Sequence, residues 1–259
     1  MAAEYSALLP RQRNLILGAL LLLAASAWAV LIWQAAMGDG MAMGSGGLTM
    51  GLAAPLFLAI WIVMMVAMMF PTAAPMILMF AAIAAGKRQR GQPFVPTWIF
   101  VSAYLLVWSL FGIVAYALAL GAERLAVASP WLLMHAARVG GTVLILAGIY
   151  QLSPLKHVCL AKCRTPLQFI LGSWRDGRGG AFHMGLAHGL YCLGCCWLLF
   201  VILFPLGVMN VAVMAAITAL IFAEKSLPAG RRIGQAAAVA LIAYGVVVLF
   251  VPVALPTGM

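Results

Sequence analysis

The sequence predicts an all-α integral membrane protein, a bundle of about seven transmembrane helices forming one domain over residues 1–259. Apolar residues make up 66% of the chain, charged residues only 8%, and the mean hydropathy is +1.12. Soluble globular domains carry about 25% charged residues, so this composition excludes that class. Long apolar stretches follow one another with short polar connections, and no soluble domain or long linker separates them.

Seven stretches approach or reach the roughly 20 apolar residues that a helix needs to cross a bilayer core. They cover about residues 15–36, 52–84, 97–120, 131–151, 181–204, 208–223 and 233–254. The first is too long for a signal peptide and lacks a clear cleavage site, so it is predicted to be retained. The second contains Pro71 and Pro75, which remove backbone donors and should kink or break that helix.

The basic residues are sorted to one side of the predicted bundle. If the seven crossings alternate, 13 of the 15 Lys and Arg residues fall on one side, and Arg124 is the single basic residue in an opposite-side loop. The positive-inside rule makes the basic side cytoplasmic, which places the N-terminus inside and the C-terminus outside. The net charge of +10 therefore indicates topology and contact with the lipid bilayer rather than nucleic acid binding.

Residues 183–197, HMGLAHGLYCLGCCW, place imidazoles and thiols inside an apolar stretch of membrane length. At about 100° per residue, one helix face carries five of these side chains. They are Met184, His188, Cys192, Cys195 and Cys196. His183 projects roughly opposite His188 and is the weaker candidate. Cys192 lies about 16 Å along the axis from Ala181, near the middle of the membrane.

Such a face is typical of a soft metal site. Thiolates and thioethers select soft ions such as Cu(I), and imidazole also suits copper. His188 and Cys192 are four residues apart, and Cys195 and Cys196 follow within one further turn, so they can approach one ion together. The alternative is that these are small residues packed between helices.

Two further segments offer soft ligands. The second predicted helix carries six methionines between Trp61 and Met79, among which Met64 and Met68 share a stripe with Trp61. Methionine also fills gaps in ordinary cores, so the stripe alone does not distinguish a metal site from core packing. On the outer side, a glycine-rich loop contains several methionines that resemble labile Cu(I) ligands. They are Met37, Met41, Met43 and Met50, with Asp39 between them.

The predicted cytoplasmic loop between helices four and five contains KHVCLAKCR, with Cys159 and Cys163 in a Cys-x3-Cys spacing. With a neighbouring His157 and basic side chains that favour thiolates, this segment can hold a metal, form a redox pair or simply pack. Further along, Asn210 is predicted to cap the sixth helix. Glu224 and Lys225 at its end are interpreted as an interfacial ion pair.

Five motifs together carry a resemblance to a known family. They are WxxMxxAMMxP from Trp61, YQLSPLKxxCLxxCRxP from Tyr150, HxxxxHGxxCxGCCWxL from His183, GxMN from Gly207 and EK at Glu224. The chain resembles the bacterial family of predicted metal-binding integral membrane proteins of unknown function. The resemblance implies a multi-pass inner-membrane protein and metal ligation by the helix-two methionines and by the His and Cys residues of these motifs. Those residues are Cys159, Cys163, His183, His188, Cys192, Cys195 and Cys196.

The leading hypothesis is an inner-membrane protein that binds a soft transition metal, copper before any other, and transports it or delivers it to a cuproenzyme. Cys192, Cys195 and Cys196 supply thiolates, His188 an imidazole, and Met64 and Met68 thioethers. The expected partners are the metal ion, a periplasmic metallochaperone and other membrane subunits.

Two alternatives stay open. The first is a membrane thiol-disulfide oxidoreductase that uses the Cys192/Cys195 and Cys159/Cys163 pairs, although a midplane position hinders exchange, which needs accessible thiolates. The second is an accessory subunit of a larger membrane complex. A metal-dependent oxygenase lacks deep carboxylates in this sequence, and a retinal protein lacks the lysine it needs in the last helix.

Overall fold

The computed structural model describes residues 10–38, 47–91, 95–251 and 255. Within these ranges the chain forms eleven helices and no strand, which confirms the all-α prediction. Met41, Met43 and Asp39 of the predicted methionine loop lie outside them. In chain order the helices are α1 (Pro10–Gly38), α2 (Ala54–Gln89), α3 (Thr97–Ala128), α4 (Pro130–Met134), α5 (Ala136–Gln151), α6 (Pro154–Arg164), α7 (Pro166–Ser173), α8 (Gly177–Val201), α9 (Leu203–Leu206), α10 (Val211–Ser226) and α11 (Gly230–Phe250).

Five of the described helical segments are long and apolar enough to cross a membrane: α1, α2, α3, α11 and the continuous stretch Gly177–Leu206. A sixth results if α5 and α6 together form one span, although they meet at an angle of 62°. The predicted sixth crossing corresponds to α10, whose 16 residues reach only about 24 Å. Five or six candidate spans are consistent with a membrane protein, while the count of seven remains a prediction.

The two prolines of α2 do not break the helix, which runs without interruption from Ala54 to Gln89. Pro71 has no N–H to donate to the carbonyl of Ala67, four residues earlier. The indole N–H of Trp28 on α1 donates to that same carbonyl at 3.1 Å. A side chain from the neighbouring helix thus satisfies the acceptor that the proline frees, as broken hydrogen bonds in membrane helices require.

Replacing Trp28 with phenylalanine is therefore expected to destabilise the protein by about 1–3 kcal/mol, because the Ala67 carbonyl loses its donor inside the α1–α2 contact. Thermal unfolding in detergent measures the change. Trp33→Phe is the matched control, since Trp33 lies on the same helix and its side chain is 61% exposed. Equal unfolding midpoints for the two variants would contradict this role of Trp28.

Helices α3 and α8 pack closely, and so do α5 and α11. A Cβ atom on Gly185 of α8 would lie 2.3 Å from the Phe100 carbonyl oxygen on α3. A Cβ atom on Gly148 of α5 would lie 2.7 Å from the Ala238 carbonyl oxygen on α11. Only glycine permits these backbone approaches, and the first one fixes the distance between α3 and the His- and Cys-bearing face of α8.

The beginning of α8 is tied to the end of α2. The Lys87 ammonium binds the Asp176 carboxylate at 2.8 Å, and the Trp174 indole N–H donates to the same oxygen at 2.7 Å. The hydrogen bond from Lys87, and after it that from Trp174, hold the pKa of the exposed Asp176 below its ordinary value.

Helix α10 is capped by Asn210, as predicted. The Asn210 side-chain oxygen accepts a hydrogen bond from the Val213 N–H at 3.1 Å.

Candidate metal centre

The predicted ligand face of α8 points into the protein. All five of its members, Met184, His188, Cys192, Cys195 and Cys196, are buried, each with 2% or less of its surface exposed. His183, which helical geometry places on the opposite side, is exposed. The face therefore lines the interior of the bundle rather than contacting lipid.

Three thiols of α8 lie within one helical turn. The Cys195 and Cys196 sulfur atoms are 3.2 Å apart, and the Cys195 thiol donates to the Cys192 carbonyl oxygen at 3.1 Å. Both side chains are buried, although adjacent residues on a helix diverge by about 100°. All five cysteines of the chain are free thiols.

A fourth thiol reaches the same place from another helix. Cys163 is not in a loop, as the sequence suggested, but on α6, and it is buried. Its thiol lies near enough to those of Cys192 and Cys195 to interact with both. Cys159 occupies a different position: a Cβ on Gly194 would lie 2.8 Å from its sulfur, so Cys159 packs against the α8 backbone.

Polar groups that the sequence did not link to the site surround Cys192. Its sulfur is 3.2 Å from the Tyr104 hydroxyl of α3 and 3.0 Å from the Lys225 ammonium of α10. Lys225 also approaches the Thr72 hydroxyl of α2 at 3.5 Å. Side chains of α3 and α10 thus meet the Cys192 thiol of α8, and α2 contacts Lys225. No sequence motif joins these residues, because they come from distant parts of the chain.

The predicted ion pair between Glu224 and Lys225 is wrong. Side chains of adjacent helical residues diverge by about 100°, so the two project to different neighbours. Lys225 faces Cys192, whereas Glu224 binds the Lys156 ammonium at 2.6 and 2.8 Å and accepts from the Gln151 amide at 3.1 Å. Lys156 also donates to Gln151. Both charged groups of the Lys156–Glu224 pair are 1% exposed, so the pair is fully buried.

His188 occupies an aromatic enclosure one turn from Cys192. Its ring stacks on Phe100 and Tyr104, with centroids 5.8 and 5.2 Å apart, and Phe169 closes a third side at 5.8 Å. Neither ring nitrogen has a hydrogen-bond partner. Buried polar groups are normally paired, and an orphaned one calls for a specific reason such as an ion that binds there. This imidazole fits a metal ligand better than a core residue.

The methionines occupy distinct positions. Met64 and Met68 are fully buried, and so is Met69, whose sulfur is 3.9 Å from the Thr72 hydroxyl that Lys225 also approaches. Met184 accepts the Arg175 N–H at 3.4 Å and lies eight residues, about 12 Å, from Cys192 along α8. Met184 is therefore too distant to share one ion with Cys192.

The chemistry of the donor set suits a soft monovalent ion. Four thiols, an imidazole without partners and nearby thioethers match the preferences of Cu(I). Among the described residues, no three His, Cys, Asp or Glu side chains are already arranged around a common point that would hold an ion. Loading therefore requires side-chain movement, and in particular Cys192 must exchange Lys225 or Tyr104 for the metal.

A family model described as "PpoB2: Copper chaperone" matches residues 58–248. The chain belongs to this family. The match covers α2 to most of α11, including every residue of the candidate centre that lies on α2, α3, α6, α8 and α10. Membership in PpoB2 confirms a metal-related family and suggests a copper chaperone-like function. The family resemblance based on the GCCW sequence of residues 194–197 stays a prediction. No curated protein and no solved structure matches the chain.

Proposed function

We propose that this protein binds Cu(I) inside its helical bundle and delivers it to a copper-dependent enzyme or carries it across the bacterial inner membrane. Cys163, Cys192, Cys195 and Cys196 supply the thiolates, and His188 supplies an imidazole. The observation that carries the proposal is the buried face of α8, which holds three thiols and an imidazole whose two nitrogens lack partners, with the buried Cys163 on α6, the helix packed against it. The PpoB2 description supports copper as the ion.

The route of the ion follows from the predicted topology. With seven crossings and the N-terminus inside, the methionine loop faces the periplasm, where thioethers can receive copper from a metallochaperone. Met64, Met68 and Met69 on α2 then provide neutral soft ligands on the way to the thiols. Met184 provides one on the inner side. His183 is exposed and Cys159 packs on Gly194, so neither is a ligand of the buried ion in this proposal.

The burial of all five cysteines favours metal binding over thiol-disulfide exchange. An oxidoreductase must bring a partner's sulfur or a quinone to an accessible thiolate. Cys192, Cys195 and Cys196 are each 1% exposed or less. Cu(I), which is small and moves by exchange of one ligand for the next, needs no such access.

The test is the copper content of purified protein after anaerobic loading with Cu(I) and washing with a weak competing chelator. The double variant Cys192→Ser with Cys195→Ser is expected to retain at most about one tenth of the wild-type copper, because it loses two of the proposed thiolate ligands. Cys159→Ser is the matched control, because it removes a buried thiol of the same bundle from outside the cluster, and it should retain wild-type copper. Equal copper in the double variant and the wild type would refute the proposal.

A further inference from the structure

Helix α6 is attached at both ends to the end of α10. Near its start, the Lys156 ammonium binds both carboxylate oxygens of Glu224. At its last residue, the Arg164 guanidinium donates to the Leu227 carbonyl oxygen at 2.9 Å. The chain turns by 62° between α5 and α6, so continuation of α5 does not set the direction of α6. Packing against α8 and the polar contacts with the end of α10 do.

The buried ion pair and the fourth thiol lie on the same side of α6. Lys156 and Cys163 are seven residues apart, which is two turns, and their side chains project within about 20° of each other. Fixing the Lys156 side chain therefore fixes the rotation of the helix that presents Cys163. Glu224 holds α6 while the next residue, Lys225, contacts Cys192 on α8. The end of α10 thus connects the two helices that carry the thiols.

We propose that Lys156 and Glu224 are a positioning pair for the thiol centre: their ion pair holds α6 in the orientation that brings Cys163 to Cys192 and Cys195. The pair touches no thiol itself and acts through the placement of α6. Its significance for copper rests on the proposed function, because a four-thiol centre needs Cys163 as a member. Without the pair, the centre retains only the three thiols of α8.

Disulfide trapping without metal tests the placement. In a background with Cys159→Ser, Cys195→Ser and Cys196→Ser, only Cys163 and Cys192 remain. Hydrogen peroxide, which is small enough to reach buried thiols, should oxidise this pair to a disulfide, since a disulfide forms only between thiols that come within bonding distance. Mass spectrometry after alkylation measures the fraction joined. Glu224→Gln should slow trapping by about tenfold or more, because Lys156 loses its counter-charge and α6 its anchor. The charge-swapped double variant Lys156→Glu with Glu224→Lys should recover most of the rate.

A milder variant covers the case in which Glu224→Gln does not fold. A methyl group at Gly234 would lie 2.5 Å from the Glu224 carboxylate oxygen, so Gly234→Ala displaces that oxygen while every charge remains. Trapping should slow in this variant as well, by a smaller factor. Lys87→Met is the matched control: it breaks the ion pair of Lys87 with Asp176, which also joins two helices but is exposed and remote from the thiols. Its trapping rate should equal that of the background.

X-ray absorption then connects the pair to copper. In the protein with all five cysteines, Glu224→Gln should lower the number of sulfur neighbours of bound Cu(I), which a loss of overall stability alone would not do. Unchanged trapping in folded Glu224→Gln, or in Gly234→Ala where Glu224→Gln does not fold, would overturn the proposal. If trapping responds as expected but wild-type protein holds no copper, the proposed function fails and the positioning role stands.

Discussion

Replacing Lys156 with methionine is expected to lower the free energy of unfolding by about 3–5 kcal/mol. The Lys156–Glu224 pair is fully buried, and removal of the ammonium leaves the Glu224 carboxylate in the core without a counter-charge. The Gln151 amide remains as its hydrogen-bond donor but does not neutralise the charge. Denaturation in mixed detergent micelles, followed by circular dichroism, measures the loss.

Double substitution separates the penalty of an unpaired charge from the value of the pair. Lys156→Met with Glu224→Leu removes both charges and fills the space with apolar atoms, so it should regain most of the lost stability. Lys87→Met, which breaks the exposed pair with Asp176, should change the stability by no more than about 1 kcal/mol. A loss as small as that of Lys87→Met would contradict an ionised, desolvated Glu224 carboxylate in the core.

His188→Leu is expected to act in opposite directions on stability and on copper. Both nitrogens of His188 are buried without partners, and such groups carry a desolvation penalty of about 1–3 kcal/mol. Leucine removes the penalty and keeps contact with Phe100 and Tyr104, so the metal-free variant should unfold at a higher temperature. Its Cu(I) affinity, measured by competition with a chelator of known affinity, should fall at least about tenfold because a ligand is missing.

The affinity measurement distinguishes a ligand from a core residue. A histidine that only packs, with the same unpaired nitrogens, would also gain stability on substitution but would leave copper binding unchanged. Unchanged copper binding would remove His188 from the centre. His183→Leu is the control on the same helix. Because His183 is exposed, its substitution should alter neither the unfolding temperature nor the affinity.

The helical class and the interior face of α8 were predictable because both follow from local rules. Apolar length indicates helices that can cross a membrane, and a period of 3.6 residues places His188 and the three cysteines of α8 on one side. The same rule placed His183 outside. These predictions need only one segment of chain at a time.

The remaining site residues depend on packing between segments. Cys163 meets Cys192 because α6 turns back against α8, and nothing in KHVCLAKCR specifies a helix bent by 62° from its predecessor. Glu224 and Lys225 looked like one ion pair because they are adjacent, yet adjacency on a helix separates side chains. The Ala67 carbonyl that Pro71 leaves without a helical donor is paired with the Trp28 indole of α1, a partner that the α2 sequence alone does not reveal.

X-ray absorption at the copper edge of the loaded wild-type protein tests the central claim most directly. Three buried thiols lie on α8 and a fourth lies on α6, which packs against it, so the bound ion should be Cu(I) with a shell dominated by sulfur. The sulfur signal should weaken in Cys192→Ser and remain in Cys159→Ser. A shell of nitrogen and oxygen alone, unchanged by substitution of Cys192, would contradict the proposed centre.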